Sequence, residues 1–330
     1  MMPDKFTMPS LQSVLLIGYS SIMDDLLQWC ERKNLKTEII TSPAQIDFFK
    51  EKQRLPIKVF EKIDSSFKEH IEKNHELKTT LFLSFGARWI FKKTDIQNFF
   101  KNNLVNFHGS RLPFDAGGGG FSWRIMRGDK ICLHLAHLID EGIDTGPIIK
   151  SSESLFPPNC IRPIEYEEFY KKGLALFCKN LLEEIISGKI FSLYQQPDYI
   201  GHYNPRLNAK VHGAIDWSND AIDLYRFINA FDEPYCGACT YHNGNLVHIK
   251  SAQIHGGEPN DHPFMSGLIK RVNKNWLLVS TGTKESIIIQ NVTDENGNNI
   301  IHKIQPGDRF YTPQERLDAA KSHRAFYKSV

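Results

Sequence analysis

The chain has 330 residues, 41% of them apolar, with 40 lysines and arginines against 38 aspartates and glutamates and a net charge of +2. That length suits a main domain with a smaller one beside it, and the near-balanced charge leaves no basic footprint for a nucleic-acid partner. No apolar run approaches the roughly twenty residues of a membrane helix, the N-terminal apolar core is too short for a signal peptide, and the 6 cysteines fit free thiols in a reducing cytoplasm.

In chain order, residues 14–18 read as a buried strand and 22–33 as a helix packing through Leu26, Leu27 and Trp29. Residues 37–41 read as a second strand, and this βαβ opening predicts a mostly parallel sheet with helices on both faces. Gly18-Tyr19-Ser20-Ser21 departs from G-x-G-x-x-G. That argues against a nicotinamide dinucleotide and leaves a ligand-facing turn at a strand end. A short strand at 57–60, a polar helix at 65–73 and a buried strand at 80–84 follow, the last leading into Phe85-Gly86-Ala87-Arg88-Trp89-Ile90. Residues 121–127 read as a helix with Trp123 and Met126 toward the core, and 131–138 as a strand. The next strand begins at Gly146-Pro147-Ile148-Ile149. An amphipathic helix over 164–187 buries Phe169, Leu174, Phe177, Leu181, Ile185 and Ile186 and stops at Gly188. Residues 190–204 are linker-like.

Beyond them, Ser218 reads as the cap of a helix that buries Leu224, Tyr225, Ile228 and Phe231. Runs at 238–242 and 246–249 around Asn243-Gly244 predict a hairpin. With 266–270, 276–280, 286–292 and 307–310 they make a small open-barrel-like sheet. The division expected is 1–203 for the main domain and 204–330 for the small β-rich one. Cys236 and Cys239 form a C-x-x-C with no second pair. A zinc site wants about four ligands, so no metal is expected and the two thiols read as small buried residues beside a strand.

The chemistry concentrates in 104–149. A short apolar run ends in Asn106-Phe107-His108, and on a strand Asn106 and His108 share one face. Ser110-Arg111-Leu112-Pro113 and a glycine run over 117–120 follow, then the loop Asp140-Glu141-Gly142-Ile143-Asp144-Thr145-Gly146. A carboxamide, an imidazole and carboxylates so gathered suit acyl or proton transfer. In order and spacing these motifs resemble the formyltransferases that use N10-formyltetrahydrofolate as donor. The resemblance is strongest over 80–150, extends over 205–310 and is weak before residue 60. It implies a Rossmann-like catalytic domain with a small C-terminal β-rich domain.

It also implies roles. Asn106 would donate to the formyl oxygen, His108 would stabilise the oxyanion and move a proton, and Asp144 would orient His108. The turn at Phe85, Gly86, Arg88, Trp89 and Ile90, with Asp140, Glu141 and Gly142, would receive the folate. The residues alone also allow an ordinary turn with Trp89 and Ile90 in the core. Ser110, Arg111, Gly117 and Arg206 are the expected acceptor contacts, with Arg88 and Arg124 as further cations for an anionic acceptor. Where relatives acting on methionyl-tRNA or some sugar nucleotides carry Arg-Gly after the Pro turn, this chain has Ala116-Gly117. Residues 42–58 also lack the clustered basic insertion that a polyanion needs. The expected reaction is therefore N-formylation of a nucleotide-linked amino sugar, such as a dTDP-4-amino-4,6-dideoxyhexose, for surface polysaccharide synthesis in the cytoplasm. Methionyl-tRNA formylation and 10-formyltetrahydrofolate hydrolysis are the alternatives. A homodimer through the small domain remains among the expectations.

Overall fold

In the computed structural model, which describes residues 4–49, 55–118, 120–197, 200–256 and 261–324, the apolar runs of the first half build one seven-stranded sheet. Its strands are Ser13–Gly18 (β1), Lys36–Thr41 (β2), Ile57–Val59 (β3), Thr80–Phe85 (β4), Leu104–His108 (β5), Ile131–Leu138 (β6) and Ile148–Leu155 (β7). Their order is β3-β2-β1-β4-β5-β6-β7. The strands from β1 to β5 run parallel, and β6 turns antiparallel to β5. β1 and β4 are buried at every position, as strands covered on both faces must be.

Alternation along β1 shows what covers them. Val14 and Leu16 enter a core with Leu26, Leu27 and Trp29 of the helix Met23–Arg32 and with Leu174, Phe177, Leu181 and Ile185 of the helix Pro163–Ile186. Leu15 and Ile17 enter the opposite core with Phe67 and Ile71 of Ser65–Asn74 and Ile96 of Lys93–Asn98. Gly188, at φ +78°, follows the long helix in the left-handed conformation of a C-terminal stop.

The contacts divide the chain into two units: 1–116, 131–154 and 169–203 in the first, and 117–130, 155–168 and everything from Asn204 in the second. The second unit carries an antiparallel sheet that curls into a half-barrel. Its strands are Ala238–His242 (β8), Asn245–His255 (β9), Ile269–Asn273 (β10), Trp276–Ser280 (β11), Ser286–Thr293 (β12) and Phe310–Tyr311 (β13). The order is β10-β11-β12-β9-β8-β13. Asn243 and Gly244 both take positive φ between β8 and β9, the turn that matches the twist of a tight hairpin.

Several details depart from the sequence reading. Ser218 does not cap the helix near 220. Its hydroxyl donates to Asp216 instead, the helix is Ala221–Ala230, and the Asp220 carboxylate accepts from the Asp223 N–H at 2.7 Å. In the helix Gly120–Arg127 the buried side chains are Ser122, Arg124 and Ile125, while Trp123 and Met126 are half-buried. The Ser122 hydroxyl donates to the Ala230 carbonyl, which draws that side of the helix inward. Within 190–204 lie the short strands Phe191–Ser192 and His202–Asn204. Cys239 is buried in β8, but Cys236 is exposed. Among the described residues no helix is long and apolar enough to cross a membrane, and no group of His, Cys, Asp and Glu is arranged to hold a metal.

Candidate active site

β5 ends in Asn106, Phe107 and His108. Phe107 turns into the core and stacks on Phe85 with ring centroids 4.9 Å apart. Strand alternation therefore sends Asn106 and His108 to the other face, where both are half-buried. The antiparallel register of β6 sets His137 directly opposite Asn106, with Asn106 Nδ2 and His137 Nε2 3.1 Å apart. The third expected residue, Asp144, comes from the loop between β6 and β7. Its Oδ1 lies 3.6 Å from His108 Nδ1 and 3.8 Å from His137 Nε2. The structure thus gathers Asn106, His108 and Asp144 in the first unit and adds His137 to them.

The hydrogen bonds fix the state of His137. Its Nδ1 lies 2.8 Å from the Leu138 carbonyl oxygen, which can only accept, so Nδ1 carries the proton. In a neutral ring Nε2 is then an acceptor, and the Asn106 carboxamide must turn its NH2 rather than its oxygen toward it. Neutrality follows from the surroundings. The side chain is 2% exposed, and its burial, aided by neighbouring His108, pushes its pKa down to about 4.

The loop that presents Asp144 is shaped by its own side chains. Asp140 Oδ1 accepts from the Gly142 N–H at 3.1 Å and from the Thr145 hydroxyl at 2.6 Å. Asp140 is thus a loop-former, as its Asx-type bonding requires. Asp144 sits in the left-handed region at φ 58°. At Gly146 there is no room for a side chain, since a Cβ would run into the Leu138 carbonyl oxygen. Glu141 reaches out to pair with Lys93 at 2.8 Å, both side chains well exposed.

Three segments knit together beside β4. Tyr19 N–H donates to the Phe85 carbonyl at 3.0 Å, and Gln45 Nε2 donates to the Gly86 carbonyl at 3.1 Å. Gly18, at φ +96°, allows this approach, for a Cβ there would stand 2.5 Å from the Phe85 oxygen. Of the expected donor-site residues, Phe85 is buried in the core of Val14 and Leu16, whereas Trp89 packs against the opposite core, that of Leu15 and Phe67. The Trp89 indole N–H donates to the Glu61 carbonyl and its ring meets Phe67 edge-on at 6.0 Å. Gly86 and Arg88 are exposed, and Ile90 stands out at 78% exposure rather than in the core.

The expected acceptor contacts are divided between the two units. Ser110 and Arg111 belong to the first unit, Gly117 and Arg206 to the second. Arg111 Nε stands 3.7 Å from Asp115 Oδ2, with its guanidinium over the Phe114 ring. Asp115 also faces His202 Nε2 at 3.0 Å. Within the second unit Gly118 N–H donates to the Asn204 carbonyl, and a Cβ on Gly118 would stand 3.1 Å from the Arg206 Cβ. Close backbone approach therefore accounts for glycine at 118, while Gly119 of the same run lies outside the described residues.

Two contributors were not found from sequence. His137 lies in a mostly apolar strand and reads as core; pairing 104–108 against 131–138 in antiparallel register would have exposed it. Gln196 donates from Nε2 to the carbonyls of Asp144, at 2.9 Å, and Gly146, at 2.6 Å. It falls in the linker-like stretch, where no local signal marks it.

Comparison with known proteins bears on the fold and the family rather than on single side chains. Residues 209–303 match the model of the formyl transferase C-terminal domain. A methionyl-tRNA formyltransferase of Clostridium perfringens (strain SM101 / Type A) is 26% identical over 224 residues, 68% of this chain and 69% of that protein. A crystal structure of WlaRD, a sugar 3N-formyl transferase, in the presence of dTDP and 5-N-formyl-THF has a similar fold, with a TM-score of 0.63 at 19% identity over 85% of this chain and 97% of that one. So does an N-formyltransferase from Helicobacter canadensis in complex with folinic acid and dTDP-3-aminofucose, with a TM-score of 0.63 at 18% identity over 85% and 99%. The C-terminal domain match and these likenesses together support a place among the formyltetrahydrofolate-dependent formyltransferases.

Proposed function

We propose that this enzyme transfers the formyl group of N10-formyltetrahydrofolate to the amine of a nucleotide-linked amino sugar, with Asn106, His108 and Asp144 as its catalytic residues and residues 1–203 contributing the catalytic domain. The observation that carries the chemistry is the fixed orientation of the Asn106 carboxamide. One hydrogen of its NH2 goes to His137 Nε2, and the other remains for an oxygen that gains negative charge.

The acceptor nitrogen attacks the formyl carbon, forming a C–N bond and placing charge on the formyl oxygen, where Asn106 donates. The tetrahedral adduct collapses by breaking the bond from carbon to N10. The proton lost by the acceptor nitrogen passes through His108 to N10, so the products are the formamide and tetrahydrofolate. Asp144, 3.6 Å from His108 Nδ1, orients that ring and favours its transient protonation. The exposed loop atoms at Gly86, Arg88 and Ile90, and the loop of Asp140, Glu141 and Gly142, are the proposed donor contacts. Their backbone groups and apolar surface suit a flat heterocycle.

For the acceptor, support comes from the fold likeness to sugar N-formyltransferases, which spans nearly the whole of those chains. The net charge of +2 adds to it, since it supplies no polyanion-binding face. A second reading, methionyl-tRNA as acceptor, is favoured by the names of the curated relatives. The experiment is formyl transfer from N10-formyltetrahydrofolate to a panel of dTDP-linked 3-amino and 4-amino deoxyhexoses and, in parallel, to methionyl-tRNA, with His108→Ala as control. Turnover on one amino-sugar nucleotide, lost in the control, is the expected result. Turnover on the tRNA alone overturns it in favour of the second reading, and formate release with no amine formylated makes the enzyme a hydrolase.

A further inference from the structure

Gln196 reaches the Asp144 loop from about fifty residues further along the chain. Its Nε2 donates to the Asp144 carbonyl at 2.9 Å and to the Gly146 carbonyl at 2.6 Å. A carboxamide nitrogen has two hydrogens, so each carbonyl takes one and the donor is fully used. Drawing both carbonyls to one nitrogen fixes the curl of the backbone from 144 to 146. That curl holds Asp144 at φ 58°, a conformation that an L side chain seldom keeps unless its surroundings hold it there.

Gln196 is itself firmly based. Tyr194, two residues before it, exchanges backbone hydrogen bonds with Ile148 at the start of β7, at 2.9 and 3.0 Å. The other anchors of the loop act elsewhere. Asp140 binds the Gly142 N–H and the Thr145 hydroxyl, and Leu138 N–H donates to the Pro147 carbonyl. None of these bonds holds the main chain of Asp144.

We propose that Gln196 is a positioning residue for formyl transfer. It holds Asp144 in the left-handed turn from which the carboxylate faces His108 and His137. The inference rests on the catalytic reading of Asn106, His108 and Asp144 given above. Without the two donated hydrogen bonds the backbone at 144 relaxes toward ordinary φ, and the carboxylate swings away from His108 Nδ1.

The test compares wild type, Gln196→Ala, Gln196→Glu and Asp144→Asn with whichever acceptor of the panel turns over, alongside crystal structures of wild type and Gln196→Ala. Gln196→Ala should lower kcat between about tenfold and about 10²-fold, the cost of a catalytic group displaced by roughly an ångström, with both KM values within about twofold. Gln196→Glu has the same size but, ionised, sets an acceptor against two carbonyls, so it should lose as much. Added to Asp144→Asn, Gln196→Ala should cost nothing further, whereas a purely structural role would cost the same in either background. The crystal structure of Gln196→Ala should show Asp144 out of the left-handed region and away from His108.

Full activity in Gln196→Glu, an additive loss in the double variant, or an unmoved Asp144 in the crystal overturns the inference. Full activity in Asp144→Asn would instead overturn the catalytic reading beneath it. The crystal result stands whether or not an acceptor has been found.

Discussion

His137 Nε2 takes a hydrogen from the Asn106 carboxamide across the antiparallel pair of β5 and β6, at 3.1 Å. A chain of constraints runs from the Leu138 carbonyl, through the His137 tautomer, to the direction in which Asn106 can donate. Replacing His137 by leucine, close in volume but without an acceptor, frees the carboxamide to rotate and present its oxygen to the developing charge. We expect His137→Leu to lower kcat by about 10 to 10²-fold, with KM for the donor little changed. Steady-state kinetics with varied donor checks this, and an unchanged kcat would mean that Asn106 is oriented by something else.

The same imidazole makes stability depend on pH. Its pKa falls from an ordinary 6.5 to about 4 because the folded chain buries it. Between those values the unfolded chain binds more protons than the folded one, so stability rises with pH through the window. The contribution is fully present above about 6.5 and is lost as the pH falls toward about 4, by up to about 3 kcal/mol. Urea melts of wild type and His137→Gln at about pH 7.5 and about pH 5 should show a smaller loss in the variant. Parallel losses would assign the acid sensitivity to other groups.

His108 and Asp144 are expected to act as one unit. His108→Ala should lower kcat by on the order of 10² to 10³, and Asp144→Asn by a comparable or smaller factor. The double variant should lose little beyond His108→Ala alone, because the carboxylate works on that ring. Independent, multiplying losses would give Asp144 a separate task at the reacting atoms.

Local pattern made much of this legible. Alternation in Leu104–His108 put Asn106 and His108 on one face, and of the stripe expected on the long helix Leu174, Phe177, Leu181 and Ile185 are buried, while Phe169 is half-buried and Ile186 is exposed. Asn243-Gly244 marked its hairpin because few residues tolerate two positive φ angles in succession. What escaped depends on pairing between distant segments. His137 matters because of the residue opposite it on another strand, and Gln196 because its amide spans from near β7 to the Asp144 loop. Asp220 won the helix cap from Ser218 because Asp216 captured the serine hydroxyl, a competition between neighbours that capping preference alone does not decide. The partners of Trp89, the Glu61 carbonyl and the Phe67 ring, likewise come from segments more than twenty residues away.

Gly146 tests how tightly the Asp144 loop is held against the end of β6. A Cβ at 146 would run into the Leu138 carbonyl oxygen, a backbone atom that cannot swing aside as a side chain could. Gly142 is crowded differently, since its Cβ would meet the Thr145 hydroxyl, which can rotate at the cost of its bond to Asp140. Gly146→Ala should therefore destabilise the protein by about 2 kcal/mol or more, and Gly142→Ala by about 1 kcal/mol. Because the shift at 146 is transmitted to Asp144 two residues away, kcat should fall with stability in Gly146→Ala, by about tenfold or more. Thermal melts read the first effect, and kinetics well below the melting temperature read the second. A Gly146→Ala protein with wild-type kcat would show that the loop can move without carrying the carboxylate away from His108.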